Sequence, residues 1–147
     1  MKLSKYLKSV LFVLFFVVSA QQVNAQTYKF VAKSFSVLEK NNRGKWGEWS
    51  DLQNTSLVIT LDTNKNRIVV YSQEIQLYEI LEYGDQIESD TDLIFPFTCT
   101  DDDGQPFSIS IITRKNQGNR KQMYINHPKA IIVYNIENLP DSINKKE

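Results

Sequence analysis

The chain has 147 residues, 17 basic and 17 acidic side chains, one His and one Cys. That length suits one domain; a single Cys excludes an internal disulfide, and a single His excludes a His-rich metal centre. A formal net charge of +0 argues against nucleic acid as a partner, because such binders present a basic surface.

Residues 1–25 read as a signal sequence. Lys2, Lys5 and Lys8 form a positive start, nine consecutive apolar residues run from Val10 to Val18, and Val23-Asn24-Ala25 ends in the small residue of a cleavage site. A helix of that apolar length spans about 14 Å against a hydrocarbon core of roughly 30 Å, too short for a stable membrane span. The expected cut follows Ala25, and no Cys lies near it, since the only one is Cys99. The reading is an exported protein, periplasmic or secreted, without a membrane span after cleavage. It would carry 14 basic and 17 acidic residues, a formal charge of −3. The remainder divides into a single β domain over 26–139 and a polar, flexible tail over 140–147.

From Gln26 onward the chain holds 14 Ile and 6 Val but only 2 Ala, with 8 Thr and 13 aromatic residues. β-branched and aromatic side chains suit a pleated surface, whereas helices prefer Ala and Leu. Eight strands are predicted. The first covers 28–38, with Phe30, Ala32 and Ser34 on one face and Val31, Lys33, Phe35 and Val37 on the other. Next comes Asn41-Asn42-Arg43-Gly44-Lys45-Trp46-Gly47-Glu48-Trp49, a glycine-flanked loop. The second strand, 57–61, places Leu57, Ile59 and Leu61 inward, and residues 62–66 turn into the third strand, 67–72. The fourth, 75–83, also has a helical alternative, because Ile75, Tyr78 and Leu81 are three apart. The fifth, 95–100, aligns Phe95, Phe97 and Cys99; after the Asp101-Asp102-Asp103-Gly104 turn, the sixth, 107–113, aligns Phe107, Ile109 and Ile111. A turn at 116–119 leads to the seventh, 122–126, and the eighth, 130–136. Short connections make an antiparallel meander, and closing it into a small barrel removes both open edges. A β-sandwich is the alternative. Bulky inward residues from Phe30 to Ile111 are expected to fill the barrel.

The combination of the Trp46-Gly47-Glu48-Trp49 loop, the Arg67-Ile68-Val69-Val70-Tyr71-Ser72 strand and the closing Val133-Tyr134-Asn135-Ile136 strand resembles small exported Bacteroidota proteins of uncharacterised role. The resemblance spans nearly all of the chain after the signal, and its motifs carry no chemistry. A second resemblance is to lipocalins, whose Gly-x-Trp motif is matched by Gly44-Lys45-Trp46 and Gly47-Glu48-Trp49. A full strand precedes the motif here and the lipocalin Thr-Asp-Tyr motif is absent, so the likeness is one of architecture.

Catalytic machinery is not expected. His127 lies in an Asn126-His127-Pro128 turn, and Cys99 alternates with Phe95 and Phe97 as a buried apolar residue with no cation beside it in sequence. Among the many acidic residues, no pair is marked out for hydrolase chemistry. Asp62, Asn64 and Asn66 sit at the first three ligand positions of a calcium loop, but Arg67 and Gln73 stand where such a loop needs Gly and Glu. No metal or cofactor is therefore expected. The run from Ile68 to Thr113 holds ten acidic residues and no Lys or Arg, while Arg114 to Lys129 holds five bases and no acid. These charges read first as solubility, or alternatively as a field that steers a partner.

Trp46 and Trp49 remain as the candidate binding residues, either as an aromatic platform or as caps on the barrel core. The expected function is a non-enzymatic exported module presenting a surface to a protein or glycan of the cell envelope or host. The alternative is a lipocalin-like carrier of a small apolar ligand, and a carboxylate-based hydrolase ranks behind both.

Overall fold

Alternation of apolar and polar residues organises the whole structure, a computed structural model that describes residues 26–140. The expected signal sequence at 1–25, and residues 141–147 of the expected tail, lie outside the described residues. Nine strands follow in order: β1 Thr27–Glu39, β2 Gln53–Asp62, β3 Arg67–Val70, β4 Gln76–Tyr83, β5 Ile87–Glu88, β6 Asp92–Thr100, β7 Pro106–Arg114, β8 Arg120–Asn126 and β9 Ala130–Asn138. Every pairing is antiparallel. β1 to β4 pair in succession, β4 pairs with β6, β6 to β9 pair in succession, and β9 closes on β1. The result is an eight-stranded closed barrel, not a sandwich, with two-residue β5 outside the ring against Leu93 and Ile94.

All eight predicted strands are present. β2 begins earlier than the apolar pattern suggests, at Gln53, because β1 pairs with it through polar positions, and β6 begins at Asp92, where Leu93 and Ile94 pair with Thr113 and Ile112 of β7. β4 is a strand: Tyr78 and Ile80 are buried while Leu77, Glu79 and Leu81 are exposed, a period of two. The face assignment of β1 needs correction. Ala32 pairs with Ile136 but Ser34 pairs with Asn135, so Lys33 forms a β-bulge. One extra residue exchanges the two faces. Phe30 and Ala32 point inward before the bulge, Phe35 packs on the core after it, and Ser34 and Ser36 turn outward.

Outward Ser34 accepts a hydrogen bond from Asn135 Nδ2 at 2.9 Å, and Asn135 Oδ1 accepts one from Gln122 Nε2 at 3.1 Å. Gln122 Oε1 accepts from Arg114 Nε at 3.2 Å, and Arg114 pairs with Asp92 at 3.1 Å. This chain of side chains crosses β1, β9, β8, β7 and β6 on the outer wall and satisfies Gln122, which is buried.

The segregated charges also meet. Asp92 and Glu88 of the acidic run pair with Arg114 and Lys115 of the basic run. Antiparallel return of the chain brings the two blocks together, so these charges complement one another within the molecule.

Candidate functional site

The two barrel ends are built differently. At the end carrying the β3–β4, β6–β7 and β8–β9 connections, large side chains close the interior. Tyr78 stacks edge-on against Phe107 at 5.6 Å, and Phe35 lies 6.0 Å from Tyr134. Gln76 accepts from Tyr78 Oη at 2.7 Å and reaches Tyr134 Oη at 3.5 Å. Burial, aided for Tyr78 by Tyr134, holds both phenols above their usual range. Below them Ile59, Ile68, Ile109, Met123, Ile125, Val70 and Cys99 form the fully buried middle of the core.

The opposite end is open. There the inward positions hold Tyr28 and Phe30 of β1, Leu61 of β2, Tyr83 of β4, Phe95 and Phe97 of β6, Ile111 and Thr113 of β7, Lys121 of β8 and Asn138 of β9. Leu139 completes the rim, its N–H donating to Lys29 O at 2.9 Å. Small Thr113 and Asn138 cannot fill the width that the strands enclose. A cup of about 540 Å³ remains, with Phe97 and Ile111 at its base and Tyr83 and Phe95 on its wall. Tyr83 meets Phe97 edge-on at 5.8 Å, and its hydroxyl donates to Asn66 Oδ1 at 2.8 Å. Tyr83 is thereby anchored at the ring and at the hydroxyl while 45% exposed. Phe95 is 40% exposed although its register partner Ile111 is buried. The expected filling by bulky inward residues holds through the middle of the barrel, where Ile59, Phe97, Phe107, Ile109 and Ile111 are buried, and fails at this end, where Phe95 points inward but stays part-exposed. A volume of this size is within the range that takes small organic ligands, roughly 300–1,000 Å³.

Trp46 and Trp49 lie in the β1–β2 connection, at the closed end. This connection folds back along β1: Gly47 N–H donates to Glu39 O and Ser50 N–H to Val37 O, both at 2.8 Å. Ser50 Oγ accepts from Val37 N at 2.9 Å, and Ser36 Oγ donates to Ser50 O at 2.6 Å. The indoles are 43% and 46% exposed, and Lys40 Nζ stands 4.8 Å from the Trp46 ring centre. The two Trp side chains are therefore absent from the cup.

His127 is better held than an exposed turn residue. Its Nε2 lies 3.4 Å from Asp101 Oδ2, its Nδ1 accepts from Lys129 N at 3.2 Å, and its ring packs on Phe107. A neutral ring with the proton on Nε2 satisfies both contacts. Cys99 is fully buried, and burial pushes its thiol up to about 12. Asp62 and Asp101 spend side-chain oxygens on their own turns, accepting from Asn64, Lys65 and Asp103 backbone N–H groups. No group of three or more His, Cys, Asp or Glu positioned to hold a metal occurs among the described residues.

No family model, curated protein or solved structure matches this chain.

Proposed function

We propose that the protein is a non-enzymatic, exported binding barrel whose open end receives a small, largely apolar ligand. The observation that carries this reading is the cup of about 540 Å³ with the rings of Tyr83 and Phe95 left part-exposed on its wall. Aromatic surface held by a rigid barrel is pre-organised, so a ligand gains contact without ordering a loop. The buried Cys99 and the doubly engaged His127 support a role without nucleophilic catalysis. The positive and apolar character of residues 1–25 supports export to the periplasm or the medium.

A titration with N-phenylnaphthylamine, a neutral apolar fluorophore, tests this. The wild-type protein should bind it saturably. Phe95→Glu should abolish binding while keeping the β-sheet circular dichroism spectrum, because the ring is part-exposed at the mouth. Undiminished binding by Phe95→Glu would contradict the reading.

A second reading is favoured by a separate observation, the exposure of Trp46 and Trp49 at the closed end. That face would engage a protein or glycan of the envelope or host, with the two indoles as anchors.

A further inference from the structure

The cup has one feature that a purely apolar ligand does not use. Lys121 occupies an inward position on β8: its register partners are Thr113, on the cup wall, and Ile136, in the core. The Lys121 ammonium donates to Asn138 Oδ1 at 3.2 Å. That acceptor is a neutral amide, and an ammonium has three protons to give. Among the described residues no carboxylate lies within ion-pair distance of Lys121, and no acidic residue lines the cup. Lys29, the other basic residue there, alternates to the outer face with its partner Thr60. The cup thus joins an aromatic wall to a single inward cation whose charge the protein leaves unbalanced. A cation inside a rim of rings is the complement of an amphipathic anion.

Resting on the ligand-binding reading above, we propose that the cup selects a ligand with an apolar body and one anionic head group, and that Lys121 receives the head. The body stacks against Phe95, Phe97 and Tyr83. The head accepts a charge-assisted hydrogen bond from Lys121 Nζ, with Asn138 holding the ammonium in place from the other side.

Two probes that share a ring system separate this inference from the reading beneath it: anilinonaphthalene sulfonate, an anion, and N-phenylnaphthylamine, which is neutral. Lys121→Met should weaken the sulfonate by about tenfold or more without weakening the neutral probe. Lys121→Arg should retain sulfonate binding, and added salt should weaken the sulfonate alone. If Lys121→Met shifts the melting temperature, Lys121→Gln keeps a polar side chain and should give the same selective loss. Neutral-probe binding that is sensitive to Phe95→Glu, together with sulfonate binding indifferent to Lys121, would overturn the inference and leave the binding reading standing. Binding of neither probe would overturn both.

Discussion

Truncating Phe97 to Ala should destabilise the protein far more than truncating Phe95, although the two rings lie two residues apart on one face of one strand. Phe97 is 7% exposed and belongs to the buried cluster; Phe95 is 40% exposed at the mouth. Removing a core Phe forfeits its transfer energy and leaves a cavity, together about 3–5 kcal/mol. At Phe95 only the buried part of the ring counts, and water already reaches the space beyond it. A full transfer term of about 1.5–3 kcal/mol, reduced for that exposure, gives roughly 1–2 kcal/mol with no cavity contribution. The assay is urea unfolding followed by circular dichroism. With an m near ~1.5 kcal/mol/M, a gap of ~2 kcal/mol separates the two midpoints by about 1.3 M. The slope m should be the same for both variants, since neither changes the surface exposed on unfolding. Equal losses near the core value would mean that Phe95 is packed as tightly as Phe97, and the open cup would be refuted.

Two further predictions concern the scaffold. Gly84 is where β4 leaves the ring, its N–H donating to Pro96 O at 2.9 Å. A Cβ there would sit 2.8 Å from Pro96 Cγ and 3.1 Å from Pro96 O, so Gly84→Ala should cost about 1–3 kcal/mol by overpacking. Calorimetry should show a clearly lower melting temperature, and an unchanged one would contradict the tight seam. Burial raises the Cys99 thiol from 9.0 to about 12, so the folded state holds its proton where the unfolded chain has lost it. That stability is fully present below pH 9.0 and lost as the pH rises through about 12. Urea midpoints measured across this window should fall with pH, less steeply in Cys99→Ala; identical pH slopes would remove the Cys99 contribution. The raised Tyr78 and Tyr134 add to the decline in both proteins.

The strands were legible because each apolar run is bounded by turn chemistry that the structure uses as written. Asp101 caps the turn that ends at left-handed Gly104, and Asp62 caps the one that ends at Asn66. The bulge left a subtler trace. Apolar residues fall on even positions at Phe30 and Ala32 and on odd positions at Phe35 and Val37, and Lys33 marks the change of phase. Reading 28–38 as one uninterrupted alternation misses it. The cup was not legible for a different reason. Phe95 and Phe97 obey the same alternation, and which ring is covered depends on the residues that other strands bring to the same end, Thr113 and Asn138 among them. Such cross-strand neighbours are set by register, which local sequence does not state. In the sequence Lys121 is only one charge in a basic run, because its inward aim depends on pairing with Ile136. The pairing of the acidic and basic blocks became visible only once β7 and β8 were seen to return beside β6.

The proposed function places the ligand at the open, aromatic end of the barrel. Amide chemical-shift mapping during titration with N-phenylnaphthylamine locates the bound probe residue by residue. The perturbed amides should cluster at Leu61, Tyr83, Phe95, Phe97, Ile111 and Thr113, with those of Tyr78, Tyr134, Trp46 and Trp49 unmoved. Perturbations centred on Trp46 and Trp49 at the closed end, with the cup silent, would contradict it.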